Sequence, residues 1–412
     1  MEYVAGLDIG TTKVAAIIAE VDDGGGVHII GVGTAPCEGL RHGMVVNLER
    51  TVQAIQDTME QAGQMAGVEV PPVCVGIAGS HIRGINGRGV VAVSGQDREI
   101  TEEDVERVIN AAQAVALPSD RELIHIIRQE FVVDEQRGIK DPVGLCGVRL
   151  EAEVYIITAA VTAVQNIIRC VEKAGYSVGG IVLEALASAE AVMGDQEKDL
   201  GGILVDLGGG TTDVAVFFEG SIRHTGAVML GGRNVTSDLA FGLRTSLEEA
   251  ERVKTNHGSS CHCEGDKEDF VEVAALSGQS TRKVSKAVLV DIIQPRMEEI
   301  LSLAYQEIQK CEYSRLATAG VVLTGGGATL EGTTELCEEI FKAPVRLGIP
   351  NGVSGLVAEV QNPAFATAVG LVLYQVRHPE EFGDGFGSPG PDDGLWARVW
   401  RVLTGKRHDP RR

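Results

Sequence analysis

The sequence predicts an α/β protein whose two lobes share one plan and face each other across a cleft. Three observations predict it. A strand ending in an acid and a Gly-Thr turn occurs twice, as Asp8-Ile9-Gly10-Thr11-Thr12-Lys13 and as Asp206-Leu207-Gly208-Gly209-Gly210-Thr211-Thr212-Asp213. Each copy follows one apolar strand and leads into another. The composition agrees: 412 residues allow two or more folding units, and 52 Gly with only 4% aromatics suit many tight strand-to-helix turns.

Residues 3–9 read as a buried strand, 14–18 as a second and 28–34 as a third. Leu48, Val52, Ile55, Met59 and Ala62 recur at helical spacing across 48–66. Thr101 and Asp104 make a capping-box pattern for a helix over 101–116, with Val105, Val108, Ile109, Ala112 and Val115 as its apolar stripe. A helix over 163–174 stops at Gly175. Strands are expected at 203–207 and 214–218, helices at 236–256 and 284–312, and a strand at 319–323 leading into Gly325-Gly326-Gly327. A small-residue helix with Pro363 in its first turn covers 363–376. Residues 378–394 are rich in Gly, Pro and acids without periodicity, which is the composition of a linker.

The net charge of −22 argues against nucleic acid as a partner. The basic residues concentrate at one end: residues 395–412 hold six Arg or Lys against one acid, Asp409. On a helix over 395–407, Leu395, Trp396, Val399, Trp400, Val402 and Leu403 share one arc, with Arg398, Arg401 and Thr404 opposite. Both tryptophans of the chain lie there, and tryptophan favours the membrane interface. A short basic amphipathic helix behind a linker reads as an in-plane anchor on anionic phospholipid, formed by Leu395, Trp396, Arg398, Val399, Trp400, Arg401 and Leu403. No apolar run approaches the ~18 residues of a spanning helix. The eight cysteines are scattered, and no leader precedes the first strand, so a reduced cytoplasmic protein is expected. His257, Cys261, His262 and Cys263 match no standard zinc spacing and read as a loop.

The repeated turns carry the chemistry. Glycine lets backbone approach a phosphate, and successive amides form an anion nest. Gly10, Thr11, Thr12 and Lys13 in the first turn, with Gly208, Gly209, Gly210, Thr211 and Thr212 in the second, are therefore the phosphate-binding candidates. Asp8 and Asp206 end the strands beside them, placed to hold Mg²⁺ through water. Gly325, Gly326 and Gly327 form a third turn where backbone can pass a nucleotide.

The set D-I-G-T-T-K, D-L-G-G-G-T-T-D and T-G-G-G-A-x-L-E-G resembles the phosphate-1, phosphate-2 and adenosine motifs of the actin, Hsp70 and sugar-kinase superfamily. Within it the chain is most similar to the FtsA family of bacterial cell division. The resemblance implies an actin-like two-lobed fold with duplicated ribonuclease-H-like halves, an inserted α+β subdomain and a C-terminal amphipathic helix. It implies subdomain 1A at 1–82 with 162–195 and 358–377, and an inserted subdomain 1C at 83–161, built as two strands, helix 101–116, and strands at 123–134 and 150–158. Subdomain 2A then takes 196–235 and 315–357, and subdomain 2B 236–314. It implies ATP as ligand, with Glu248, Glu251 and Lys254 near the adenosine and Glu184, the one acid of Leu183-Glu184-Ala185-Leu186-Ala187-Ser188, positioning the attacking water in a weak ATPase at most. It implies self-assembly into filaments, an FtsZ C-terminal peptide contacting Arg282 and Arg296, later division proteins on the insert, and a peripheral place on the cytoplasmic side of the cell membrane at the division site. Rival readings are an actin-like scaffold of pilus assembly or microcompartments, and a soluble sugar kinase. An Hsp70-like chaperone would need a substrate-binding domain that does not fit after residue 376.

Overall fold

The computed structural model describes residues 2–382 apart from 95, 115–116 and 277–279. Two sheets of one design form its body. The first runs, in spatial order, Val178–Leu183, Val73–Ile77, Glu2–Ile9, Lys13–Val21, Val27–Pro36 and Val353–Gly355. The second runs Ser221–Val228, Thr212–Phe218, Ile203–Leu207, Val321–Thr324 and Val345–Leu347. In each, a strand ending in the Asp-turn motif pairs antiparallel with the strand after the turn and parallel with a neighbour on its other side. These strands are near-continuous apolar runs because helices cover both of their faces.

The helices Glu184–Val192 and Ala366–Arg377 lie between the two sheets, and one core joins Ala15 and Ile17 of the first to Leu204 and Ala215 of the second through Ala187, Leu371 and Val372. The two helices approach so closely that a Cβ at Gly370 would overlap the Ala187 carbonyl, so small residues are needed at the crossing. Leu48–Ala66 and Val161–Lys173 cover the far face of the first sheet through Ile55, Met59, Val164 and Ile167. Lys286–Ile308 and Thr333–Phe341 cover that of the second.

The insert is a four-stranded antiparallel sheet, ordered Arg83–Ala92, Arg149–Ala160, Arg121–Val133 and Gln136–Ile139, under the helix Glu102–Gln113. Thr101 and Asp104 do close the capping box at the start of that helix. Only one strand precedes it, where two were expected. The insert reaches across to the second lobe: Tyr155 Oη accepts from the Thr225 amide at 2.8 Å, and Gln129 Nε2 donates to the Ile222 carbonyl at 2.9 Å.

The single helix expected at 236–256 is two, Gly232–Gly242 and Leu247–His257. Arg244 turns the chain with φ +46°, Thr245 Oγ1 donates to the Ala274 carbonyl at 2.6 Å, and Ser246 caps the second helix. Such side-chain bonds to backbone compete with helix continuation. The chain also does not loosen at 378: Pro379–Glu381 forms a 3₁₀ turn packed on the body. The tail residues Leu395 to Leu403 lie outside the described residues. Among the described residues, no helix is long and apolar enough to cross a membrane.

Candidate nucleotide site

The two Gly-Thr turns close identically. Gly10 N donates to the Lys13 carbonyl at 2.9 Å, and Gly208 N to the Thr211 carbonyl at 2.9 Å. The amides of Thr11, Thr12, Gly209 and Gly210 have no backbone partner among the described residues, which leaves four donors at the turn tips. The turns meet face to face. A Cβ at Gly209 would overlap the Thr12 side chain, and one at Gly210 would lie 2.6 Å from Thr11 Oγ1. Only glycine at these positions lets the lobes approach this closely.

Four carboxyls converge behind the turns. Asp8 and Asp206 are the next-to-last residues of equivalent strands, and Asp213 stands directly across the ladder from Asp206. Glu184 opens the helix that follows the strand Val178–Leu183, and its Cγ passes over Gly76, where a Cβ would come within 3.0 Å. Burial pushes Asp8 up to about 7, opposed by Lys13 and reinforced by Asp206. Burial and the neighbouring Asp206 push Asp213 to about 7 as well. Glu184 is driven well above the carboxylate range by burial and then by Asp8, Asp213 and Asp206. Lys13 is the cation among them, its Nζ donating to the Ala364 carbonyl at 2.8 Å above the Phe365 ring.

Asp206 is held from the other lobe. Ser188 Oγ donates to its Oδ2 at 2.6 Å and Thr367 Oγ1 at 3.4 Å, from the two helices between the sheets. Burial raises Asp206, and these hydroxyls and Lys13 pull it back. Sequence reasoning missed Asp213, Ser188 and Thr367 as site residues. Ser188 lies four residues after Glu184 on one helix face, a spacing that could have found it. Asp213 could have been found from its register opposite Asp206. Nothing local marks Thr367. Ser188→Ala removes a hydroxyl bond to a buried carboxylate, worth about 1.5 kcal/mol, so affinity for Mg²⁺-ATP, the ligand expected from the sequence, should fall about 10-fold in a titration at fixed metal. Unchanged affinity would dismiss the bond as incidental.

The third turn lies at the base of the second. Thr324 pairs with Asp206, and Gly325 has φ +86° with no room for a Cβ beside Asp206 Oδ1. Gly326 and Gly327 continue it as a 3₁₀ turn. The helix Gly232–Gly242 points its first amides at the second turn, Gly232 N to the Gly208 carbonyl at 3.0 Å and Arg233 N to that of Gly209 at 2.8 Å. Lys254 Nζ donates to the Gly232 carbonyl at 3.1 Å, to Thr236 Oγ1 at 2.9 Å and to Glu251 at 2.7 Å. Lys254 and Glu251 thus brace this helix start, whereas Glu248 is exposed. Among the described residues no three His, Cys, Asp or Glu side chains are placed to hold a metal directly. A buried set of mutually repelling carboxyls, too spread to cage an ion, fits Mg²⁺ that keeps its waters.

Arg282 lies exposed on the hairpin strand Thr281–Ser285. Arg296, on the helix Lys286–Ile308, is engaged: its Nε and Nη2 donate to the two Asp238 oxygens at 2.6 and 3.2 Å, and Nη1 reaches Glu299.

Comparison with known proteins places these features in a lineage. Residues 203–370 match the family model "Cell division protein FtsA", and residues 79–158 match "SHS2 domain inserted in FTSA", which spans the described four-stranded insert. The chain is 43% identical to cell division protein FtsA of Pseudomonas aeruginosa over 98% of both chains. It is 44% identical to that of Neisseria meningitidis over 90% of this chain and 89% of the relative. The Bacillus subtilis protein is 37% identical over 96% and 88%. In fold it is similar to the PilM-PilN type IV pilus biogenesis complex, with TM-score 0.64 at 17% identity over 90% of this chain and 98% of that one. It is similar also to MreB5 of Spiroplasma citri bound to ADP, with TM-score 0.55 at 14% identity over 91% and 96%.

Proposed function

The chain belongs to the FtsA family of cell-division proteins, and from that premise we propose that it binds Mg²⁺-ATP between its lobes and ties the FtsZ ring to the cytoplasmic face of the membrane. The observation that carries the nucleotide part is the apposition of the two turns, Gly209 on Thr12 and Gly210 on Thr11, above the carboxyl cluster. The free amides of Thr11, Thr12, Gly209 and Gly210 take phosphate oxygens, and Lys13 adds a positive charge. Asp8 and Asp206 hold the metal through water, and Ser188 and Thr367 fix the direction of Asp206. When bound, Mg²⁺ supplies the charge that offsets both the phosphates and the carboxyls. Glu184 orients the attacking water. Its raised pKa makes it a poor base until positive charge enters, which suits slow hydrolysis.

The same reading assigns the hairpin and helices of 236–314 to the FtsZ C-terminal peptide. Thr245 Oγ1 on the Ala274 carbonyl draws the helix end bearing Phe241 toward the hairpin bearing Leu276, and these side chains are 89% and 74% exposed. Arg282 supplies charge for an acidic peptide. Arg296 contributes only by sharing itself with Asp238. The insert receives later division proteins. Residues 395–407 lie in the anionic membrane surface, and filament assembly multiplies weak anchors into firm attachment.

Co-sedimentation with anionic vesicles in ATP tests the whole. Full-length protein should pellet and bring FtsZ with it, and a chain ending at Gly394 should stay soluble. Equal pelleting of both chains, or FtsZ left in the supernatant, would overturn the tether.

A further inference from the structure

The short turn at the end of the described chain makes contacts that neither nucleotide binding nor membrane attachment requires by itself. Glu381 bridges two elements. Its Oε2 lies 3.3 Å from His125 Nδ1, on the insert strand Arg121–Val133, and its Oε1 accepts from Tyr374 Oη at 2.9 Å, on the helix Ala366–Arg377. The other nitrogen of the same imidazole, Nε2, accepts from the Leu183 amide at 3.1 Å. His125 is 4% exposed and Leu183 3%, so the Leu183 bond is fully buried, while the Glu381 bond is buried on the imidazole side only. With Nε2 accepting, Nδ1 carries the proton and donates to Glu381.

Leu183 is the last residue of its strand, and Glu184 follows it directly as the first residue of the helix facing the carboxyl cluster. One imidazole therefore joins the exit segment of the body, the insert and the backbone that aims Glu184. The next residue closes the arrangement. Phe382 stands edge-on to Tyr374 at 6.3 Å, and its ring fills the space above Gly180, where a Cβ would overlap it. Tyr374 also packs edge-on to His125 at 5.8 Å and against His378 at 4.3 Å. A segment that served only as linker would need none of this.

We infer that Pro379–Phe382 is a clasp through which Glu381 and His125 couple the membrane-bound end of the chain to the nucleotide cleft and to the insert. The inference rests on the proposed nucleotide and membrane roles. Seated, the clasp fixes Leu183–Glu184 and the insert in the arrangement described. Released by a pull or a reorientation at the tail, it frees the Leu183 amide and loosens the insert. His125 is thus a positioning residue for Glu184, and Glu381 is the handle by which the tail moves it.

The test measures dissociation of a fluorescent ATP analogue from full-length protein, with and without anionic vesicles. Four further proteins are compared: Glu381→Gln, Phe382→Ala, His125→Gln and the chain ending at Gly394. Vesicles are expected to change the wild-type dissociation rate about 3-fold or more. Glu381→Gln and Phe382→Ala should lose that response while still pelleting with vesicles. The Gly394 chain should keep the vesicle-free wild-type rate, because its clasp is intact. His125→Gln keeps a side-chain donor and acceptor and should retain part of the response, which general loosening would not predict. Melting temperatures of the variants separate unfolding from uncoupling. A vesicle response in Glu381→Gln and Phe382→Ala equal to the wild-type response would overturn the clasp, as would a wild-type rate that ignores vesicles. Failure of the wild type to bind the analogue or the vesicles would instead remove the proposed function.

Discussion

Replacing Gly209 with valine should weaken ATP binding about 100-fold and leave the chain folded. Gly209 has no positive-φ requirement, so the backbone of its turn accepts a side chain, and the turn keeps its Gly208-to-Thr211 closing bond. What it cannot keep is its place against Thr12, because the new Cβ falls on the Thr12 side chain. Thr12 belongs to the first lobe and Gly209 to the second, so the cheapest relief is a parting of the two turns. Parting them withdraws one set of amides from phosphates held by the other. Two charge-assisted hydrogen bonds at about 1.5 kcal/mol each amount to about 3 kcal/mol, or about 100-fold in affinity. A fluorescent ATP analogue titrated into wild type and variant measures the loss, and a melting curve of the ligand-free proteins confirms the fold. Wild-type affinity in the variant would place the phosphates away from this contact. Gly325 makes the contrast: with φ +86° and Asp206 beside it, a valine there strains the backbone itself, and lost affinity would carry less information.

The parts of this site legible in the sequence are those encoded locally. Asp8-Ile9-Gly10-Thr11-Thr12 and Asp206-Leu207-Gly208-Gly209-Gly210 could be read as paired turns because a strand, an acid and small residues stand in a row. Leu48–Ala66 emerged with its bounds because its apolar residues keep one face over five turns and Asn47 and Gly67 cap it. What escaped depends on partners distant in the chain. Thr367 meets Asp206 across 161 positions, and its neighbours in sequence, Ala366 and Ala368, are ordinary small helix residues. Glu381 looks like linker because its partner His125 is 256 positions earlier, inside another subdomain. The break at Leu243–Ser246 was hidden for a different reason. Apolar periodicity continues through it, and only the Thr245 bond to Ala274, from a hairpin still to come, shows why the chain turns.

Acid should weaken the fold through His81, the buried histidine at the junction between body and insert. The strand Val73–Ile77 ends at the cleft, and Ala78-Gly79-Ser80-His81 then turns the chain into the first strand of the insert, with Gly79 at φ +121°. His81 is 8% exposed, and neither ring nitrogen has a partner among the described residues. Burial, and then the Arg121 guanidinium that donates to the His81 carbonyl, lower its pKa from 6.5 to about 4. The folded state therefore binds fewer protons than the unfolded chain between these values, and stability must fall as pH drops through that window. The contribution is complete above pH 6.5 and gone near 4, and at about 1.4 kcal/mol per unit the loss is about 3 kcal/mol. Carboxylates that titrate in acid add their own slope, so the informative quantity is the difference between wild type and His81→Asn, which keeps a polar group but does not titrate. Denaturant unfolding at pH 7.5, 6.0 and 5.0 should show the wild type losing more stability than the variant at each step. Parallel pH profiles would mean that the folded chain takes a proton on His81 as readily as the unfolded chain does, and would overturn the assignment. The two bare nitrogens of His81 would then be no obstacle to its charging, and the acid sensitivity of the fold would lie with its carboxylates.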